Sequence, residues 1–150
     1  MDNATTSSID TISKTCIAVR LRLLNRVVTK CYDDALRPLG LKVSQLNILI
    51  VTAQLGLARP AHVCDILQLD ASTLSRNVKP LQTHGWLEVV PDEDARAQPF
   101  RLTGKGKRLI EKAAPAWEEA QRRASELLGD EGIALLDRVA KQLWQTKAGG

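Results

Sequence analysis

Apolar residues recur at helical spacing from Ile9 to about Leu36. One stripe is Ile9, Ile12, Cys16, Val19, Leu23 and Val27, and a second is Ile17, Leu21, Leu24, Val28, Cys31 and Ala35. At 100° per residue they cover roughly 220° of the helical wheel, wider than the one-sided stripe of a surface helix. Such a helix needs two apolar partners. The chain has 150 residues, about one domain's worth. One partner is therefore its own core, and the other is expected to be a second subunit. Residues 1–8 are polar and expected to fray.

Punctuating residues divide the rest of the chain. Pro38 and Gly40 stop the first helix. Ser44 is expected to cap a second helix with Leu46, Leu49, Ile50 and Ala53 inward, ending at Gly56. Pro60 fits the first turn of a short third helix carrying Val63, Ile66 and Leu67. After a turn at Leu69-Asp70-Ala71, a fourth helix places Leu74, Val78 and Leu81 inward and closes at His84-Gly85.

The period then changes. Trp86 to Val90 and Phe100 to Leu102 read as strands, joined by nine residues from Pro91 to Pro99, too many for a tight hairpin. Thr103 is expected to cap a helix from about Gly104 to Leu128, with Leu109, Ala113, Trp117, Ala120, Ala124 and Leu127 in one stripe and a kink at Pro115. Gly129-Asp130 separates a last helix with Ile133, Leu136, Ala140, Leu143 and Trp144. A two-stranded ribbon has no core of its own and must lean on its neighbours.

Composition narrows the function classes. The longest apolar run, Ile48 to Val51, is far too short to span a membrane, and residues 1–6 carry neither the basic nor the apolar region of a secretory signal. Cys16, Cys31 and Cys64 are odd in number and include no CxxC pair, which fits reduced thiols in the cytoplasm. No phosphate-loop, GxSxG or HExxH motif is present, so an enzyme is not expected. No cofactor is expected. No metal is expected either, because His62 and Cys64 lie two apart on a helix and point about 200° apart. The formal net charge is +4, with +3 in residues 1–58, +2 in 59–108 and −1 in 109–150. This permits a polyanionic partner without demanding one.

Helices three and four with their short turn form a helix-turn-helix, in which the second helix meets base edges in the major groove of duplex DNA. With Leu74 and Val78 inward, the other face presents Ser72, Thr73, Ser75, Arg76, Asn77 and Lys79. Hydroxyls bond phosphates or bases, Arg reads guanine with two bonds, and Asn reads adenine. Arg96, near the middle of the ribbon's loop, suits insertion into a minor groove. Asp92, Glu93 and Asp94 make that loop acidic, and Asp94 is expected to orient Arg96.

The stretch from Leu69 to Leu81, then His84-Gly85-Trp86-Leu87, Asp94-Ala95-Arg96 and Leu102-Thr103, resembles the MarR family of winged helix-turn-helix regulators, over about residues 10–147. The resemblance implies a homodimer with intertwined terminal helices, two recognition helices in successive major grooves, and two wing arginines in minor grooves. It also implies an effector pocket, often for phenolic or other small aromatic compounds. The family wing usually has Arg directly after the Asp, where this chain has Ala95.

The fold class expected is therefore mainly α (α+β). A single winged-helix domain spans 1–150, with dimerisation helices at 9–37 and 104–147. A DNA-binding lobe at 42–103 holds the helix-turn-helix at about 60–84 and the wing at about 86–102. The function expected is a sequence-specific, DNA-binding repressor released by a small-molecule effector. A protein-binding adaptor and a thiol-based redox sensor are the alternatives. For the sensor, Cys16 lies about two residues before the place of the family's hydroperoxide-sensing Cys, and Tyr32 is the one tyrosine. Arg20 lies inside the apolar arc of the first helix and must pair with a carboxylate, receive the acid group of an effector, or extend to solvent. Trp86 is expected in the core, and Trp117 and Trp144 in the core or at a dimer contact. The cysteines are expected as small buried apolar groups.

Overall fold

The computed structural model describes residues 3–94 and 97–148. Its elements are α1 (Asn3–Thr15), α2 (Ile17–Leu36), a 3-10 turn (Arg37–Leu39), α3 (Val43–Leu55), α4 (Pro60–Leu67), α5 (Ala71–Thr83), β1 (Leu87–Val89), β2 (Phe100–Leu102) and α6 (Gly104–Ala148).

The first helix departs from expectation twice. Residues 3–8 are helical from Asn3 onward, and the helix breaks at Cys16, which is extended with ψ 110°. The periodicity runs through Cys16, but α1 is rich in Ser and Thr. Thr11 and Thr15 turn their hydroxyls back onto the carbonyls of Ser7 and Thr11, at 2.9 and 2.7 Å. Such bonds compete with the helical ladder. Arg20 pairs with no carboxylate among the described residues of its own chain. It is exposed, and its Nη2 donates to the Lys14 carbonyl at the end of α1.

α3 is the central helix, touching α2, α4, α5, β2 and α6. It starts two residues earlier than expected, with Lys42 rather than Ser44 at the cap position. The Lys42 N–H donates to Gln45 Oε1 (3.0 Å) and the Val43 N–H to Asp33 Oδ1 (2.8 Å), so Ser44 is not the cap. Leu46, Ile48, Leu49, Val51 and Thr52 are buried, while Ile50 and Ala53 are exposed. The run Asn47-Ile48-Leu49-Ile50-Val51 is apolar nearly all round, so its period selects no face; the packed neighbours select it.

The core under α5 and the ribbon is as expected: Val63, Leu74, Val78, Leu81, Trp86, Leu87 and Phe100 are buried. The two strands pair antiparallel, Leu87 with Leu102 and Val89 with Phe100. Phe100 also forms a two-bond bridge to Ala58, at 2.8 and 2.9 Å, which fastens the ribbon to the chain before α4. Gly85 has φ 72°, the left-handed turn that ends α5.

Thr103 caps α6 as expected, accepting the Gly106 N–H (3.0 Å) and donating to the Gly85 carbonyl (2.7 Å). A Cβ at Gly106 would fall on the Trp86 carbonyl oxygen and within 2.7 Å of Leu102 Cδ1. Gly106→Ala should therefore destabilise the protein by about 1–3 kcal/mol, read as a lower urea midpoint, because backbone and wing must both shift. α6 runs through Pro115, and inside it Gly129 alone leaves helical dihedrals (φ 67°, ψ 168°), where the sequence places its stop.

α6 packs along α2, and Tyr32 Oη donates to Gln121 Oε1 between them. Leu109, Ala113, Ala120 and Ala124 are buried there, whereas Trp117 and Leu127 are exposed. On α2 the two stripes separate only in its second half: Leu24, Val28 and Cys31 are half-buried, whereas Val19, Leu23 and Val27 are exposed, as are Ile17 and Leu21 of the second stripe. With Ile133, Leu136, Leu143 and Trp144 also exposed, both ends of the chain carry large apolar side chains that this chain alone leaves uncovered. Trp117 and Trp144 are thus outside the core. The cysteines are free and half-buried rather than buried, and burial pushes the Cys64 thiol up, away from the reactive thiolate.

Candidate nucleic-acid interface

α5 is built around Asp70. The residue is extended (φ −78°, ψ 159°), and Oδ1 accepts the Thr73 N–H at 2.7 Å, which caps the helix. The Ser72 hydroxyl donates to Oδ1 at 2.7 Å and the Thr73 hydroxyl to Oδ2 at 3.0 Å. These bonds, the one from Ser72 foremost, hold the Asp70 carboxyl down at about 2 against an ordinary 3.8. A lowered folded-state value stabilises the protein above pH 3.8, and that contribution is lost as pH falls toward about 2. Asp70→Ala should lower the melting temperature at pH 7. It should also flatten the fall in stability between about pH 4 and about pH 2, read by thermal unfolding across that window.

Of the residues expected to face DNA, Ser72, Ser75, Arg76 and Lys79 are exposed on α5, and Thr73 is half-buried. Arg76 Nη2 donates to Thr73 Oγ1 at 3.3 Å. Asn77 is half-buried and its amide is engaged at both ends: Nδ2 donates to the Thr73 carbonyl (2.9 Å) and Oδ1 accepts the Ser44 hydroxyl (3.2 Å). It ties α3 to α5, a use that the spacing of its own helix does not reveal. Arg96, and with it the contact expected from Asp94, lies outside the described residues.

The base of the wing is held by charge. Arg101 pairs with Glu88 across the strands at 2.5 Å. Arg59, before α4, pairs with Asp92 at 2.9 Å, and Asp92 Oδ1 accepts the Asp94 N–H at 3.0 Å. The backbone bond from Asp94 first, and Arg59 second, hold the Asp92 carboxyl below its ordinary value. In the sequence Asp92 shows only as an acid near the tip; its partner stands 33 residues away. Between α4, α5 and the wing lies an open groove of about 960 Å3, with Leu74, Val78 and Phe100 at its floor and Arg59 and Lys79 among its polar lining.

His84 closes α5 with Nδ1 2.7 Å from the Pro80 carbonyl and its ring stacked on Trp86, centroids 4.3 Å apart. Among the described residues no group of three His, Cys, Asp or Glu is placed to hold a metal ion, and no helix is long and apolar enough to cross a membrane.

Comparison with known proteins places this arrangement. The MarR family model matches residues 39–97, which run from the end of the 3-10 turn to the wing. The multiple antibiotic resistance protein MarR of Salmonella typhimurium is 25% identical over 124 residues, 81% of this chain and 85% of that protein. An uncharacterised HTH-type transcriptional regulator of Bacillus subtilis, YwoH, is 28% identical over 86 residues, and the match spans 57% of this chain and 63% of that protein. The chain shares the fold of a mutant MarR from E. coli crystallised with operator DNA, with TM-score 0.76 and 19% identity over 89% of this chain and 96% of that one. The M. tuberculosis transcriptional regulator MOSR, solved in complex with DNA, superposes with TM-score 0.73 at 28% identity over 89% and 98%. The order of helices, the wing held to the helix-turn-helix and the matched lobe agree with these relatives: residues 39–97 are similar to the MarR family, and the chain shares the winged-helix fold of these regulators.

Proposed function

We propose that the protein binds duplex DNA as a homodimer and regulates transcription as a repressor, with a small aromatic or phenolic effector relieving the repression. The observation that carries the reading is α5: a capped helix showing Ser72, Ser75, Arg76 and Lys79 to solvent beside a wing that is tied down by Arg59–Asp92 and Phe100–Ala58. Relatives crystallised with DNA support it. The uncovered apolar faces of α1, α2 and the end of α6 support the second copy. In this reading Ser72, Thr73, Ser75, Arg76, Asn77 and Lys79 serve the major groove, with Asn77 also setting the helix against α3, and Arg96 enters the minor groove. Release requires an effector that favours a dimer whose recognition helices no longer match the groove spacing. Arg20, exposed where α1 meets α2, is the cation we assign to the effector's acid group.

Two variants test the assignment by fluorescence anisotropy across a salt series. Lys79→Ala should weaken binding to all sequences alike and lower the log–log salt slope by about one unit, the signature of one lost phosphate contact. Arg96→Ala should weaken a preferred site about tenfold or more. Unchanged binding by both variants would remove this face from the account.

A further inference from the structure

The hydroxyls at the front of α5 are already committed as donors. Asp70 is ionised across the neutral range, and an ionised carboxylate only accepts hydrogen bonds. At 2.7 Å from Oδ1, the hydrogen of Ser72 therefore lies on the serine and points at the carboxylate. The same holds for Thr73, 3.0 Å from Oδ2, whose oxygen also accepts from Arg76 at 3.3 Å. What exposed Ser72 turns outward is a pair of acceptor lone pairs with an anion behind them. A phosphate, which offers only acceptors and negative charge, is the wrong partner for that surface. The major groove holds two exocyclic donors of the right kind, the N4 amino group of cytosine and the N6 amino group of adenine.

We propose that Ser72 is a specificity-determining residue that accepts a hydrogen bond from a base amino group, cytosine N4 or adenine N6, while Asp70 fixes its hydroxyl as an acceptor. The inference rests on the DNA-reading role proposed for α5 and adds the polarity of one contact. Phosphates are then left to the cations Arg76 and Lys79. For Ser72 to donate to a phosphate, its bond to Asp70 would have to break.

The test is selection from a randomised duplex library by the wild type, Ser72→Ala and Asp70→Gly. Gly at a helix N-cap costs little relative to Asp, so α5 keeps its start. It removes the carboxylate that holds the Ser72 hydrogen and frees the hydroxyl to donate. The wild type should enrich adenine or cytosine at one position that Ser72→Ala no longer distinguishes, and Asp70→Gly should lose that preference or shift it toward guanine or thymine. Removing the amino group there, with purine for adenine or pyrimidin-2-one for cytosine, should weaken the wild type about fivefold and Ser72→Ala not at all. Equal weakening of both proteins, or a Ser72→Ala protein with the wild-type preference, would overturn this inference alone. A wild type that enriches no sequence would overturn the DNA-reading role together with it.

Discussion

Replacing Leu23 and Leu143 by Glu together should leave a folded single chain that binds operator DNA about 10²–10⁴-fold more weakly, the loss expected when two linked half-site contacts become one. Both side chains are 64% exposed in the chain, so neither change opens its core, and far-ultraviolet circular dichroism should be unaltered. They sit in apolar rows with Val19 and Val27 on α2, and with Leu136 and Val139 on α6. Rows of this kind, left open to water, mark a surface for another protein. Burying a carboxylate on each side of such a contact is unfavourable unless it finds a partner. Sedimentation should read two chains for the wild type and one for the variant. A variant that still sediments as two chains would place the second subunit on another face.

Phe100→Ala should destabilise the protein by about 3–5 kcal/mol, the range for emptying a buried aromatic position. Phe100 is 2% exposed and is the largest of the fully buried side chains among the described residues. It stands in β2 opposite Val89, bridges to Ala58, and floors the groove between α4, α5 and the wing. Its loss therefore loosens the wing and the recognition helix together. Phe100→Leu keeps much of the volume and should cost less. Urea unfolding checks this: the midpoint should fall for both variants, further for Ala, with the slope unchanged if only stability has changed.

The parts legible in the sequence are those with punctuation. Pro60, Gly85, Thr103 and Gly129 each force or favour a particular backbone, and α4, α5, the ribbon and the break in α6 fall where those residues place them. The inward face of α5 is legible as well, because its apolar residues alternate with polar ones; on α6 the stripe is right at Leu109, Ala113, Ala120 and Ala124 but not at Trp117 and Leu127, which are exposed. The features that escape sequence reading depend on partners distant in the chain or on competition between local bonds. α3 shows no preferred face until its neighbours cover one. The apolar periodicity runs through Cys16 without registering the break there. The Val43 N–H at the start of α3 is met by Asp33, ten residues earlier, and the partners of Asp92 and Asn77 each stand 33 residues away. Asp70 differs from these, because its signal is local: an Asp three residues before Thr73 at a helix start is a common cap. Treating it as part of a turn misses that role.

The central claim is that this is a dimeric reader of duplex DNA. It is tested most directly by fluorescence anisotropy of the purified protein on DNA from upstream of its own gene, against a scrambled fragment, across a salt series. The account predicts preference for the upstream fragment, two chains per site, and a steep log–log salt slope from phosphate contacts. No binding to either fragment at low salt would contradict it and leave α5 and the wing as a surface for proteins.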